Sequence, residues 1–346
     1  MHAKLIVKLM KRELAHELLR VLNEYKTLGI AEQIDYQKFY LYSIITYSTA
    51  IEGSTVTEVE AQLLFDEGIT SSKRTIIEQM MNIDLKVAYE HSIRLARHHA
   101  DFSLEMLKNM SAVVMKNTGG QYNTAQGVFN ASKGDFRLLG VSAGIGGQSY
   151  MNYQKIPAKL SEFCRRLNHY RRLLIGENDM ISQYILSFDA HYQLVTIHPW
   201  ADGNGRMSRL VMNHLQYEFG LVPVKIVKDD MADYIQSLVD SRESGSSEPF
   251  IEFMLKEHIK NLSKEIELYK KSQALDPINV GFDPITDHLY KEVLSNNSLN
   301  YSEYAKLIGV SEATVKRRLG KLKKEGMIVR VGSNKTGHWQ IKQSDN

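Results

Sequence analysis

Cysteine is almost missing from this chain: Cys164 is the only one in 346 residues. That excludes an internal disulfide framework and any cysteine-built zinc cluster, and it fits a reducing compartment. Long hydrophobic runs are missing too, so no segment is apolar enough to cross a bilayer. The N-terminal stretch from Met1 to Leu19 mixes charge with apolar residues and carries no cleavage-like site, so a cytoplasmic location and no membrane partner are expected. A large charge excess is the third absence. The net charge of +3 does not by itself point to nucleic acid. What is present is ordinary for a soluble globular protein, 43% hydrophobic and 24% charged, in a chain long enough for two or three domains.

Chemistry is concentrated in Ile197-His198-Pro199-Trp200-Ala201-Asp202-Gly203-Asn204-Gly205-Arg206-Met207-Ser208-Arg209. Before it, Ile181, Tyr184, Ile185, Phe188, Tyr192 and Val195 repeat at helical spacing, and Pro199 disfavours continuing that helix. After it, Arg206, Leu210, Asn213, His214 and Tyr217 fit a second helix, with Gly220 as its end cap. A helix, glycine-rich turn and helix would aim free backbone amides into one concave space suited to phosphate. Arg206 and Arg209, three apart, would share a face towards the same anion. Asp202 suits Mg²⁺, a hard cation that prefers oxygen donors, and Asn204 can hydrogen-bond a phosphate oxygen. His198 titrates near neutrality and is the candidate general base; a helix C-terminus would favour its protonated form. No serine or cysteine lies beside a base within the motif, which argues against a covalent enzyme intermediate.

The run His198-Pro-Trp-Ala-Asp202-Gly-Asn204-Gly-Arg206-Met-Ser-Arg209 resembles the active-site motif of the Fic (Fido) family, H-P-F-x-[DE]-G-N-G-R-x-x-R. The resemblance implies a mainly α fold, with a helical core and a short β-hairpin flap. It also implies transfer of AMP from Mg-ATP to a protein Ser, Thr or Tyr hydroxyl. His198 would deprotonate that hydroxyl and Asp202 would bind Mg²⁺. Gly203, Asn204, Gly205 and Arg206 would cradle the phosphates, and Arg209 would hold the terminal one. Trp200 departs from the family's phenylalanine, a change expected to alter packing more than chemistry.

Upstream, Ser48 and Glu52 lie one helical turn apart, and Gly53 ends their helix. Thr57 and Glu60 have the spacing of a capping box for the next helix. Ser48-Thr49-Ala50-Ile51-Glu52-Gly53 also resembles the family's inhibitory motif, [ST]-x-x-x-E-[GN]. That resemblance implies a Glu52–Arg209 pair in the place of the γ-phosphate.

Other helices are expected at about 5–28, 33–51, 70–100 (one or two), 103–115, 158–174, 231–241 and 249–273. Arg165, Arg166, Arg171 and Arg172 read as a solvated face. Gly134-Asp135-Phe136-Arg137 is similar to the family element ahead of its flap, which would span 139–153 and bind the target segment as an added strand. The expected organisation is an N-terminal helical region (1–100), a catalytic core (101–275) and a linker (276–284). A C-terminal segment (285–346) follows that resembles a winged helix-turn-helix module. Its third helix, Glu312 to Gly326, carries Lys316, Arg317, Arg318, Lys321, Lys323 and Lys324, with Ser311 and Thr314 placed to reach base edges. Beside the hydroxyl-bearing target protein, the module's partner is duplex DNA or, as such modules also serve, another protein or domain, and a homodimer stays open. Two rivals also stay open. One is transfer of another phosphate-containing group, or removal of AMP. The other is a nucleotide-sensing transcription regulator.

Overall fold

The computed structural model describes residues 12–142, 149–275, 283–332 and 337–341. Local sequence sets the element boundaries. Helix α1 (Arg12–Thr27) is followed by α2 (Tyr36–Ile51). The latter starts later than periodicity suggests, because Gln33 is extended behind a short 3-10 turn. The Thr57–Glu60 capping box opens α3 (Glu58–Glu67) as expected. A second capping box, Thr75–Glu78, opens a single long α4 (Ile76–Arg97). Ser103 caps α5 (Leu104–Val114).

The glycine-rich stretch that follows holds a hairpin the sequence pattern did not announce. Its strands, β1 (Gln121–Thr124) and β2 (Gly127–Asn130), pair antiparallel. Helices α6 (Ile156–Leu174), α7 (Met180–Ile197), α8 (Asn204–Glu218), α9 (Met231–Ser244) and α10 (Glu248–Leu275) complete the main body.

Helix α7 is the axis. Its apolar residues surround it on every side, the pattern of a helix with no solvent face. One side, through Leu186, Ala190, Leu194 and Ile197, joins a core with α2, α4, α5, α6 and α8. The other side, through Tyr184, Ile185, Phe188 and Tyr192, joins a core with α1 and α10. Helix α8 is nearly as enclosed although it is polar, and partners answer several of its buried groups. Tyr89 donates to Asn213 (2.6 Å), Gln216 donates to Ser187 (2.9 Å), and His214 meets Ser92 (2.9 Å). Arg171 is buried, contrary to its expected place on a solvated face. It donates to the carbonyls of Ala100 and His99 and to Asp101, which fastens α6 to the end of α4.

The C-terminal unit has its own core around Leu289, Tyr304, Val315, Leu319 and Trp339. It comprises α11 (Pro284–Ser295), α12 (Tyr301–Ile308), α13 (Glu312–Lys324) and the antiparallel pair β3 (Ile328–Val331) and β4 (His338–Ile341). Most of the expected linker (residues 276–282) and part of the wing tip (333–336) lie outside the described residues. Thr314 does not face outward towards bases, whereas Ser311 is exposed. Ser311 is the N-cap of α13, and Thr314 is buried against it with its hydroxyl on the Ser311 oxygen.

Candidate active site

Helix α7 ends at His198, which adopts a left-handed conformation (φ 51°, ψ 60°) that turns the chain sharply into Pro199. Arg137 holds this corner. Its Nε donates to the His198 carbonyl (2.8 Å), and its Nη1 and Nη2 donate to the carbonyls of Leu139 (2.6 Å) and Met151 (2.5 Å). One guanidinium thus ties both stems of the flap to the turn. The stems pair as expected of a hairpin, the Tyr150 amide donating to the Val141 carbonyl (2.9 Å) and Ser142 bridging to Ser149. The tip, residues 143–148, lies outside the described residues.

Two residues at this corner escaped sequence reasoning. The Tyr150 ring stacks on His198 (centroids 3.8 Å apart, planes 17° apart), and Arg242 of α9 lies 4.7 Å from the Tyr150 ring centre. No periodicity or motif links residues so distant in sequence. Burial lowers the His198 imidazole to about 4, and the positive charges of Arg137 and Arg242 act in the same direction. This corrects the expectation that the helix terminus would favour the imidazolium: loss of hydration outweighs the macrodipole. Nδ1 faces the Val195 carbonyl (3.3 Å). If that nitrogen carries the proton, Nε2 is the basic one.

Trp200 is fully buried, its indole N–H on the Gly134 carbonyl (3.1 Å), as expected for a packing residue. Asn204 is not free for a phosphate oxygen. Its side chain brackets Trp200, accepting from the Trp200 amide (3.1 Å) and donating to the Trp200 carbonyl (2.9 Å). What it offers outward is the backbone amide at the start of α8. There Asn204, Gly205 and Arg206 precede the first intrahelical bond, Met207 to Gly203. Gly203 caps that helix at φ 78°, and a Cβ there would stand 2.6 Å from the Met115 sulfur. Asp202 is exposed; its Oδ1 accepts from the Gly203 amide (2.5 Å) and lies 3.6 Å from Arg206. Among the described residues no cluster of three or more His, Cys, Asp or Glu could hold a metal, so Asp202 is a lone carboxylate.

The two arginines differ. Arg206 is buried with Nε and Nη1 lacking a hydrogen-bond partner, while its Nη2 lies 3.6 Å from Asp202. Arg209 is buried and fully engaged. It donates to the Ser48 hydroxyl (2.8 Å), the Ser48 carbonyl (2.9 Å), Glu52 Oε1 (2.6 Å) and the hydroxyl of Tyr234 (3.4 Å), the last a contact not foreseen from sequence. Burial opposes ionisation of Glu52. Arg209, by charge and hydrogen bond, overrides burial and holds the carboxyl below its ordinary range. The same Oε1 crowds Gly205, where an added Cβ would collide with it. Glu52 is thus an anion placed at the N-terminus of α8, delivered by the last turn of α2; Gly53 (φ 96°) then turns the chain away. His198, Asp202, Gly203, Gly205, Arg206 and Arg209 converge with Ser48 and Glu52, while Gly53 acts only through the backbone.

Residues 101–216 match the Fic/DOC family, and residues 283–329 match a winged helix-turn-helix DNA-binding family. The protein adenylyltransferase fic-1 of Caenorhabditis elegans is 23% identical over 263 residues, 74% of this chain and 47% of the relative. The protein adenylyltransferase Fic of Nematostella vectensis is 27% identical over 240 residues, 68% of this chain and 50% of the relative. The chain therefore spans about half the length of these curated relatives. A Fic family protein from Desulfovibrio desulfuricans, of known crystal structure, superposes with a TM-score of 0.56 at 19% identity, covering 96% of each chain.

Proposed function

We propose that this chain, which carries a Fic/DOC-family domain at residues 101–216, transfers AMP from ATP to a hydroxyl of another protein, and that Glu52 restrains the transfer. The carrying observation is the start of α8. There Arg206 carries two unpartnered donors, and beside the local Asp202 carboxylate on the Gly203 amide a second carboxylate, Glu52, reaches in from α2 to Arg209. Relatives named protein adenylyltransferase support the choice of AMP as the group moved.

In the proposed reaction the triphosphate lies on the first amides of α8 and the free Arg206 donors. Its terminal phosphate takes the Glu52 position on Arg209. His198 accepts the proton of the target hydroxyl as that oxygen attacks the α-phosphorus. The new O–P bond forms as the α–β bridging bond breaks, and pyrophosphate departs. Asp202 fits Mg²⁺, since a lone carboxylate with an oxygen to spare beside a phosphate cradle is the donor set that ion uses. Bound there, the ion would neutralise phosphate charge. The flap stems held by Arg137 would present the target segment, and Tyr150 would shift off His198 to admit it.

One gel tests the group transferred. The Glu52→Gly chain is incubated with cell extract as acceptor and ATP labelled at the α- or the γ-phosphate. Above a blank of extract without the chain, label should enter protein from the α-phosphate alone. Entry from the γ-phosphate would convict a kinase, and entry from neither would end the transferase reading. The pH profile tests the base. An imidazole lowered to about 4 is neutral throughout the ordinary range, and its basic form is lost only as pH falls towards that value. Transfer should therefore stay nearly flat from about pH 7.5 to about pH 5.5. An acid limb centred near the ordinary histidine value of about 6.5 would count against a buried, neutral base.

A further inference from the structure

The basic helix of the winged unit meets the main body at the end of α3, and that contact leads to Glu52. Glu67 is the last residue of α3, next to the cap Gly68. A carboxylate there faces the negative end of the helix dipole and needs a cation from elsewhere. Two arginines of α13 supply it. Arg317 forms an ion pair with Glu67, and Arg318 approaches the same carboxylate at 3.6 Å. Arg318 also donates to Asp283 (2.7 Å), which in turn accepts from the buried Gln62 of α3 (3.2 Å). Arg318 is itself largely enclosed, its side chain 15% exposed. The recognition helix is thus not wholly free for a nucleic acid: one arginine is built into the junction and a second is held at its edge.

The contact continues. Asp66, beside Glu67, accepts from Lys38 (2.8 Å) and from the Tyr42 hydroxyl (2.7 Å), both on α2. Helix α2 carries Ser48 and ends at Glu52, the residue on Arg209. The last two residues of α3 therefore join the recognition helix on one side to the inhibitory helix on the other.

We propose that duplex DNA and the acidic end of α3 compete for Arg317, and that DNA bound on α13 loosens α2 and with it the seat of Glu52. The partner is set by chemistry. Lys316, Arg317, Lys321 and Lys324 lie on exposed positions of α13, and Gly320 among them has open space where a side chain would stand, so a phosphate backbone can approach closely. Glu67 takes the role of one phosphate while DNA is absent. The two events are linked reciprocally, so anything that removes Glu67 from Arg317 must favour DNA. The consequence for transfer rests on the function proposed above; the competition does not.

The test uses the full chain, a fluorescent random-sequence duplex at low salt, and amide hydrogen exchange. Glu67→Gln should bind the duplex roughly three- to tenfold more tightly than the parent, with a salt dependence steeper by about one ion. It should also speed exchange across residues 36–51, and DNA added to the parent chain should speed exchange there too. Arg317→Ala separates the two halves: it should loosen residues 36–51 yet weaken DNA binding. Parental affinity and parental exchange in Glu67→Gln would overturn the proposal, and so would the absence of DNA binding by both chains at low salt. An exchange response without any nucleotidyl transfer would remove the proposed activity and leave this coupling standing.

Discussion

Replacement of Glu52 by glycine is expected to raise protein adenylylation from Mg-ATP by roughly ten- to a hundredfold, the equivalent of one charge-assisted contact of ~1.5–3 kcal/mol. An exposed ion pair would contribute far less. This pair is not exposed: the Arg209 side chain is 4% and the Glu52 side chain 26% accessible, so water does little to screen it. Ser48 helps, since its hydroxyl and carbonyl already orient the guanidinium that Glu52 meets. Glycine removes the carboxylate, leaves Arg209 held by Ser48 and Tyr234, and opens the space in front of Gly205. The terminal phosphate can then take the vacated position, which aligns the α-phosphate for in-line attack. The effect should be specific to the carboxylate. Ser48→Ala, which loosens Arg209 but keeps Glu52, should give a smaller gain. Equal initial rates for the parent and Glu52→Gly chains across the ATP range would show that the pair does not restrain the site.

Replacement of His198 by alanine is the opposite case, with an expected loss of ~10²–10⁴-fold or more, the usual contribution of a positioned general base. The imidazole is placed by backbone, not by a charged partner: Arg137 grips its carbonyl and the Val195 carbonyl faces Nδ1. In the proposed reaction the phosphate groups are met elsewhere, by Arg206, Arg209 and the amides of α8. Nucleotide affinity should therefore stay within about threefold of the parent while the rate collapses, the signature of an interaction made only in the transition state. The comparison is cleanest in the Glu52→Gly background, where the starting rate is higher. Transfer retained at the parental rate would rule out His198 as the base.

Much of the site was legible before any coordinates. The motif from His198 to Arg209, the proposed inhibitory turn at Ser48–Gly53 and the Thr57–Glu60 cap are local patterns. Their chemistry follows from residue type and spacing within a single turn or helix. The winged unit was legible for the same reason: two helices, a glycine turn and a basic helix follow one another in order. Three readings failed on burial. Asn204 looked like a phosphate ligand but closes the loop on Trp200. Thr314 looked like a base reader but packs inward, and Arg171 looked solvated but is enclosed. A polar residue on an amphipathic pattern gives no sign of which neighbour will cover it.

Sequence alone determined the mainly helical class, the position of the candidate anion-binding turn and the candidate base, because each rests on contacts between residues a few positions apart. Tertiary structure alone decided the protonation of His198, the stacking of Tyr150 under Arg242, the engagement of Arg209 by Tyr234 and the junction of Arg317 with Glu67. Those depend on desolvation and on side chains up to 250 positions apart meeting in space. A linear pattern carries neither the dielectric around a group nor the identity of a distant partner.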